Sequence, residues 1–183
     1  MNNFKIICIS GYKGSGKDTV SNYIAEKYNY EHKKLAQPIK DITKLLFNLT
    51  DRDVEEDKEL VNKEWNIKPR ILLQKIGTEM FQYELQKFMP DIGRNFWIIR
   101  FIKNINKDNL IVISDLRFIH EYEMLKKYCD KIKVIKIEKN NIEQSDTHIS
   151  ENEFDKIPAD YIIKNNSSFT DLYTQIDNIL EKP

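Results

Sequence analysis

The stretch that most limits what this chain can become is Gly11-Tyr12-Lys13-Gly14-Ser15-Gly16-Lys17-Asp18-Thr19. An apolar run from Phe4 to Ile9 leads into it, and Val20, Ile24 and Tyr28 lead out at helical spacings of four. The layout is strand, glycine-rich turn, helix, and it reads G-x-x-x-x-G-K. Gly11, Gly14 and Gly16 let the backbone take positive φ and approach a ligand with no Cβ in the way. Successive N–H groups can then face one concavity at a helix N-terminus, where the macrodipole favours an anion. Lys17 adds a mobile point charge for β- and γ-phosphates. A plain strand–helix turn with a surface lysine needs no such set of glycines. Gly11, Lys13, Gly14, Ser15, Gly16, Lys17, Asp18 and Thr19 therefore read as a cradle for a nucleoside triphosphate.

The residue after the lysine is commonly a hydroxyl that ligates Mg²⁺. Here it is Asp18, with the hydroxyl one place later at Thr19. Two readings of Asp18 stand open. A carboxylate is a hard-oxygen ligand for magnesium, directly or through water, or it only favours the first helical turn through the dipole.

With 183 residues, 40% of them hydrophobic, the chain suits one globular domain, 1–183, with a sizeable core. Its 29 lysines and arginines balance 29 aspartates and glutamates, so no global basic field recruits nucleic acid. The start is too short in apolar residues for a signal peptide, and no run reaches membrane-spanning length. Cys8 in a buried-strand pattern and Cys129 near a helix end fit reduced thiols. These features lead to the expectation of a soluble, cytoplasmic protein.

Along the chain, Tyr30 to Ala36 is a weakly marked second strand. Pro38 suits the first turn of a helix with Ile39, Ile42, Leu45, Leu46 and Leu49 as its apolar stripe. Asp51 to Lys63 is read as a solvated helix face or loop. Pro69 opens an amphipathic helix with Ile71, Leu72, Leu73, Ile76, Met80 and Phe81, and Phe96 to Ile105 is another. Leu110 to Ser114 is a continuous apolar strand ending at Asp115. His120 to Tyr128 is expected as a helix, Ile132 to Ile137 as a strand, and Asn140 to Thr147 as a loop. Ser150 and Glu153 make a capping box, Asp160 to Ile163 a last strand, and Ser167 or Ser168 caps a C-terminal helix. Alternating strands and helices mean a three-layer α/β/α domain with a mostly parallel, five-stranded sheet. Ligands in such folds bind beyond the carboxyl ends of the strands, where the cradle and Asp115 both lie.

Asp115-Leu116-Arg117 is the second constellation. An aspartate ending a strand near the cradle can hold the water shell of Mg²⁺, and Arg117 offers a planar fork for phosphate oxygens. An Asp–Arg ion pair closing a strand end is the plainer alternative. Arg70 and Gln74, four apart on one helix face, suit a second phosphate and a base or sugar, or else the surface. Arg94 and Arg100 flank Phe96 and Trp97 as charges beside core aromatics, and His148 either touches a ligand or covers a loop. There is no Ser/His/Asp set, no Cys/His zinc spacing and no stacked-aromatic platform for nucleic acid.

The stretches GYKGSGKDTV, LAQPIK, PRILLQKIGTEMF, FW, VISDLRFIHE and HISE occur in the order found in deoxynucleoside monophosphate kinases of phages and large DNA viruses. The chain resembles that family over roughly residues 4 to 166. The family also carries aspartate after the cradle lysine, which makes Asp18 a family trait. The resemblance implies an adenylate-kinase-like fold, ATP and Mg²⁺, and a deoxynucleotide 5′-phosphate as acceptor. It implies catalytic roles for Lys17, Asp115 and Arg117, with Asp18 and Asp115 at the metal. It places Lys40, Arg70, Gln74, Thr78, Arg94, Trp97, Arg117 and Glu121 with the acceptor, in a helical region of about 38–106. A lid of about 139–157 would carry Lys139, His148, Ser150 and Glu151. The chain departs from the family at Gln82 and at Glu138-Lys139, where arginines are frequent, so Arg94 or Lys139 is the substitute. Partners are then small nucleotides, with neither nucleic acid nor membrane, and a homodimer is left open. The alternatives are another small-molecule kinase acting on phosphomevalonate or dephospho-coenzyme A, and a P-loop ATPase or nucleotide-binding module without an acceptor.

Overall fold

The computed structural model describes residues 5–106, 108–140 and 153–181. Five strands form one sheet: β1 (Ile6–Ser10), β2 (Glu31–Lys33), β3 (Ile111–Ile113), β4 (Ile132–Glu138) and β5 (Tyr161–Lys164). Every pairing is parallel, in the order β2-β3-β1-β4-β5. The chain divides into two compact units, one of residues up to Lys34 and from Phe101 onward, the other Leu35–Arg100.

The first unit holds the sheet with α1 (Lys17–Tyr28), α6 (Ile119–Tyr128) and α7 (Phe169–Leu180). All five residues of β1 are buried, so it runs through the middle layer of an α/β/α fold. Ile7, Ile9, Val112, Ile135 and Ile163 from the sheet pack with Val20 and Ile24 of α1 and Leu172 and Ile176 of α7. Each such side chain stabilises by about 1.5–3 kcal/mol. Helix α7 starts where the Ser168 hydroxyl accepts from the Asp171 N–H at 3.2 Å, one of the two caps expected.

The second unit is helical: α2 (Gln37–Phe47), α3 (Asp51–Glu55), α4 (Pro69–Gln74) and the first half of α5 (Phe96–Asn104). Two expectations need correction here, on the α2 stripe and on the helix opened by Pro69. Leu45 and Leu46 are 82% and 57% exposed. Helix α2 instead turns Thr43 inward and ends at Asn48, whose left-handed φ of 50° breaks the stripe before Leu49. The charged segment from Asp51 agrees with its expected solvated helix face: a short helix with Thr50 and Asp53 closing a capping box and Val54 alone buried, followed by largely exposed turns. The helix opened by Pro69 winds as α only to Gln74 and continues as a π-helix over Lys75–Glu84. Winding by i→i+5 moves the apolar stripe, so Met80 turns outward at 51% exposure and the polar Gln82 is buried.

The capping box at Ser150 and the loop at 140–147 lie wholly or mostly outside the described residues. Glu153–Lys156 forms a short 3₁₀ turn that buries Phe154. Among the described residues no helix is long and apolar enough to cross a membrane.

Candidate active site

The sheet places the site by register. Cys8 pairs with Ile113 on the neighbouring strand, so the chain leaves β3 toward Asp115 beside the end of β1. Lys33 pairs with Ile113 on the other side, which brings Lys34 level with Ser114. The ends of β1, β2 and β3 thus deliver the glycine loop, Lys34 and Asp115 to one edge.

The loop has the conformation its glycines permit. Gly11, Gly14 and Gly16 take φ of 142°, 81° and 100°. A Cβ on Gly11 would stand 2.5 Å from the Ile137 carbonyl oxygen, so β4 presses on the loop's entry. Gly16 ends the loop in the left-handed region and starts α1. Lys17 reaches back over it, donating from Nζ to the Gly11 and Tyr12 carbonyls at 2.7 Å each. Lys13 is exposed and Ser15 is buried.

Asp18 and Thr19 lie in the first turn of α1. The Asp18 carboxylate meets the Lys34 ammonium at 2.8 Å. Partial loss of hydration pulls its pKa upward although its side chain is 64% exposed, but Lys34, with the Ser114 hydroxyl and His32, outweighs this and holds it below the ordinary carboxylate range. Asp115 and Arg117 are half-buried on the strand-to-helix turn, and Ser114 is buried with its hydroxyl beside the Asp18 carboxylate. Glu121 lies in the first turn of α6 and reaches back toward the turn before it. Its Oε2 accepts from the backbone N–H groups of Arg117 and Phe118 at 3.1 Å each. It is only 6% exposed, and burial, with Asp115 nearby, raises its pKa to about 7.

Beside the loop lies a cavity of about 680 Å³, lined by Gly14, Gly16 and Thr19 on one side and by Lys139, Asn140 and Asn165 to Phe169 on the other. Lys139 is the one residue of the expected lid set that is described; His148, Ser150 and Glu151 lie outside the described residues.

The residues named for an acceptor in the helical unit are held as follows. Lys40 pairs with Glu55, and Arg70 Nε lies 3.4 Å from Glu59. Gln74 is half-buried and Thr78 is 5% exposed. Trp97 is buried, its indole donating to the Gly77 carbonyl at 2.8 Å. Arg94 donates to the Gln82 side-chain oxygen from Nε at 3.2 Å and from Nη2 at 3.1 Å. The family arginine position and its named substitute are therefore direct neighbours.

Sequence reasoning missed Lys34 and Asn165. A lysine after a short, charged strand looks like any surface lysine, and only strand register reveals the first. Asn165 lies 150 residues from the loop it touches.

Known proteins resemble this chain in sequence and in fold. A family model described as deoxynucleotide monophosphate kinase matches residues 5–66 and 49–176. A chain of Acanthamoeba polyphaga mimivirus, provisionally named deoxynucleotide monophosphate kinase, is 32% identical, with 93% of each chain covered. A dephospho-CoA kinase of Fusobacterium nucleatum is 29% identical over 96% of this chain and 97% of its own. The crystal structure of a gluconokinase from Sinorhizobium meliloti 1021 superposes with a TM-score of 0.51 at 12% identity, covering 99% of this chain and 96% of that one. That likeness concerns the fold alone. With its family model matched over most of its length, this chain belongs to the deoxynucleotide monophosphate kinase family.

Proposed function

We propose that the protein transfers the γ-phosphate of ATP to a deoxynucleoside 5′-monophosphate, giving ADP and the deoxynucleoside diphosphate. The observation that carries this reading is the left-handed glycine loop at the start of α1 with Lys17 folded across it.

The acceptor phosphate has a second pKa near 6, about as for other phosphomonoesters, so an oxygen is already ionised at neutral pH and no general base is needed. That oxygen attacks the γ-phosphorus as the bond to the β,γ-bridging oxygen breaks. Catalysis then consists of alignment and charge stabilisation. Loop N–H groups and Lys17 hold the donor phosphates, and the Arg117 guanidinium steadies the charge on the moving group. Arg70, with Gln74, Arg94 and Lys40, takes the acceptor.

The residues fit a magnesium ion. Asp18, Thr19 and Asp115 are hard-oxygen donors, and Ser114 brings a buried hydroxyl beside Asp18. Among the described residues no group of three acidic, histidine or cysteine side chains forms a closed cage. Mg²⁺ commonly takes one or two carboxylates and fills its shell with phosphate oxygens and water. Bound with ATP, it would neutralise charge on the β- and γ-phosphates.

Two free cysteines, Cys8 buried and Cys129 half-buried, support a cytoplasmic setting, that of the host if the chain is virus-encoded. The dephospho-CoA kinase relative makes that acceptor the second reading. ATP-dependent ADP release across a panel of deoxy- and ribonucleoside monophosphates, with dephospho-CoA alongside, decides between them. Turnover with dephospho-CoA alone would reject the first reading.

A further inference from the structure

We propose that Asn165 is a positioning residue of the phosphate loop: its side-chain amide holds the Ser15–Gly16 peptide unit and so sets the direction of the Gly16 N–H. The inference rests on the reading of Gly11–Thr19 as the cradle for donor phosphates.

Asn165 follows the last residue of β5 and is anchored twice. Its backbone N–H donates to the Glu138 carbonyl at 2.8 Å, tying it to the end of β4. Its Nδ2 donates to the Ser15 carbonyl at 2.8 Å, tying it to the loop. Every described peptide bond is trans, so the C=O and N–H of one peptide unit point to opposite sides. Holding the Ser15 oxygen against Asn165 therefore fixes where the Gly16 N–H aims. Without the amide, that unit is free to rotate, because Gly16 tolerates many backbone conformations.

The space is shared closely. A Cβ on Gly16 would collide with Asn165 Nδ2. Glycine is thus required at position 16 both for its φ of 100° and for the amide that occupies the missing side chain's place. Asn165 and Gly16 line the same cavity beside the loop, together with Asn166 and Phe169. A structural anchor alone would need only the main-chain bond to Glu138; the side-chain bond acts on the loop.

The test is titration of the full chain with ADP by calorimetry, together with steady-state kinetics, for Asn165→Asp and Asn165→Ala. Asp keeps the shape and loses the donor. The expected result is about tenfold weaker ADP binding and a similarly raised KM for ATP, as for loss of one good hydrogen bond. The acceptor KM and the melting temperature stay close to wild type, and the Gly16 amide resonance shifts. Wild-type ADP affinity in folded Asn165→Asp overturns the proposal, as does a lowered melting temperature with unchanged affinity. If Asn165→Ala does not fold, Asn165→Asp and Asn165→Ser carry the same measurement. Lys17→Ala is titrated alongside: if it too leaves ADP binding intact, the cradle reading fails, whereas if it alone weakens binding only the role of Asn165 fails.

Discussion

The Asp18 carboxylate is held 2.8 Å from the Lys34 ammonium, so the acid that follows the cradle lysine is answered by a cation from the end of β2. Partial loss of hydration favours protonation of Asp18, yet Lys34, helped by the Ser114 hydroxyl and His32, keeps its pKa below the ordinary range. The carboxylate is therefore ionised at neutral pH and available to a divalent cation. Asp18→Asn is expected to raise the Mg²⁺ concentration for half-maximal rate, with ATP affinity in the absence of metal little changed. An unchanged magnesium profile would leave Asp18 as a helix-start residue paired with Lys34.

Lys17 donates to two carbonyls of its own loop, Gly11 and Tyr12, at 2.7 Å each. Removing its ammonium should therefore spare the fold and remove charge where it develops in the reaction. Lys17→Ala is expected to lower kcat by at least about a hundredfold, with a thermal melt near that of wild type. Near-normal turnover would dismiss the cradle.

Glu121 links pH to the strand-to-helix turn. Its pKa is raised to about 7 from 4.5, chiefly by burial. Between those values the folded state binds more protons than the unfolded one. Stability therefore falls as pH rises from about 4.5 to 7, then levels off. Glu121→Gln removes this slope, because the amide carries no charge to bury and its oxygen still accepts from Arg117 and Phe118. Urea melts at pH 5 and pH 8 check it: the wild type should lose stability between them, and Glu121→Gln should lose much less. Equal slopes would mean that Glu121 does not titrate in this window.

Much of this was legible because local chemistry decided it. The glycine set and Lys17 define the loop within one short stretch, and the apolar run at Ile111–Ile113 reports a strand buried on both faces. What stayed hidden was non-local. Lys34 reaches Asp18 only because β2 pairs with β3 in a particular register. Asn165 reaches Ser15 only because β5 is the edge strand beside β4. The segment Lys75–Glu84 reads with an α-helical period, whereas it winds by i→i+5, so the burial of Gln82 and its contact to Arg94 could not be read from apolar spacing. The exposed Leu45 and Leu46 misled for a related reason: apolar spacing says that a stripe exists, not where the helix ends.

The seam between α1 and α7 depends on Asp177, far from the phosphate loop. Its carboxylate accepts from Tyr23 Oη at 2.9 Å and Tyr28 Oη at 2.6 Å, and it faces Lys27 Nζ at 2.8 Å. Tyr23 in turn stacks on Tyr173 with ring centroids 4.0 Å apart. The Lys27 side chain is 39% exposed, so solvent screens that pair and it adds little. The two phenols matter more, because removing the acceptor leaves both hydroxyls without this partner. Asp177→Ala is expected to cost about 1–3 kcal/mol and lower Tm by roughly 2–8 °C, with kcat and both KM values unchanged. Asp177→Asn keeps an acceptor and should fall between the two. Burial raises the Asp177 pKa, but Lys27 and the two tyrosines together lower it further, so its stabilisation is full above the ordinary carboxylate pKa of 3.8 and is lost as pH drops below that value. Acid titration of Tm should therefore converge for wild type and Asp177→Ala at the lowest pH, and a constant gap between them would refute the ionised seam.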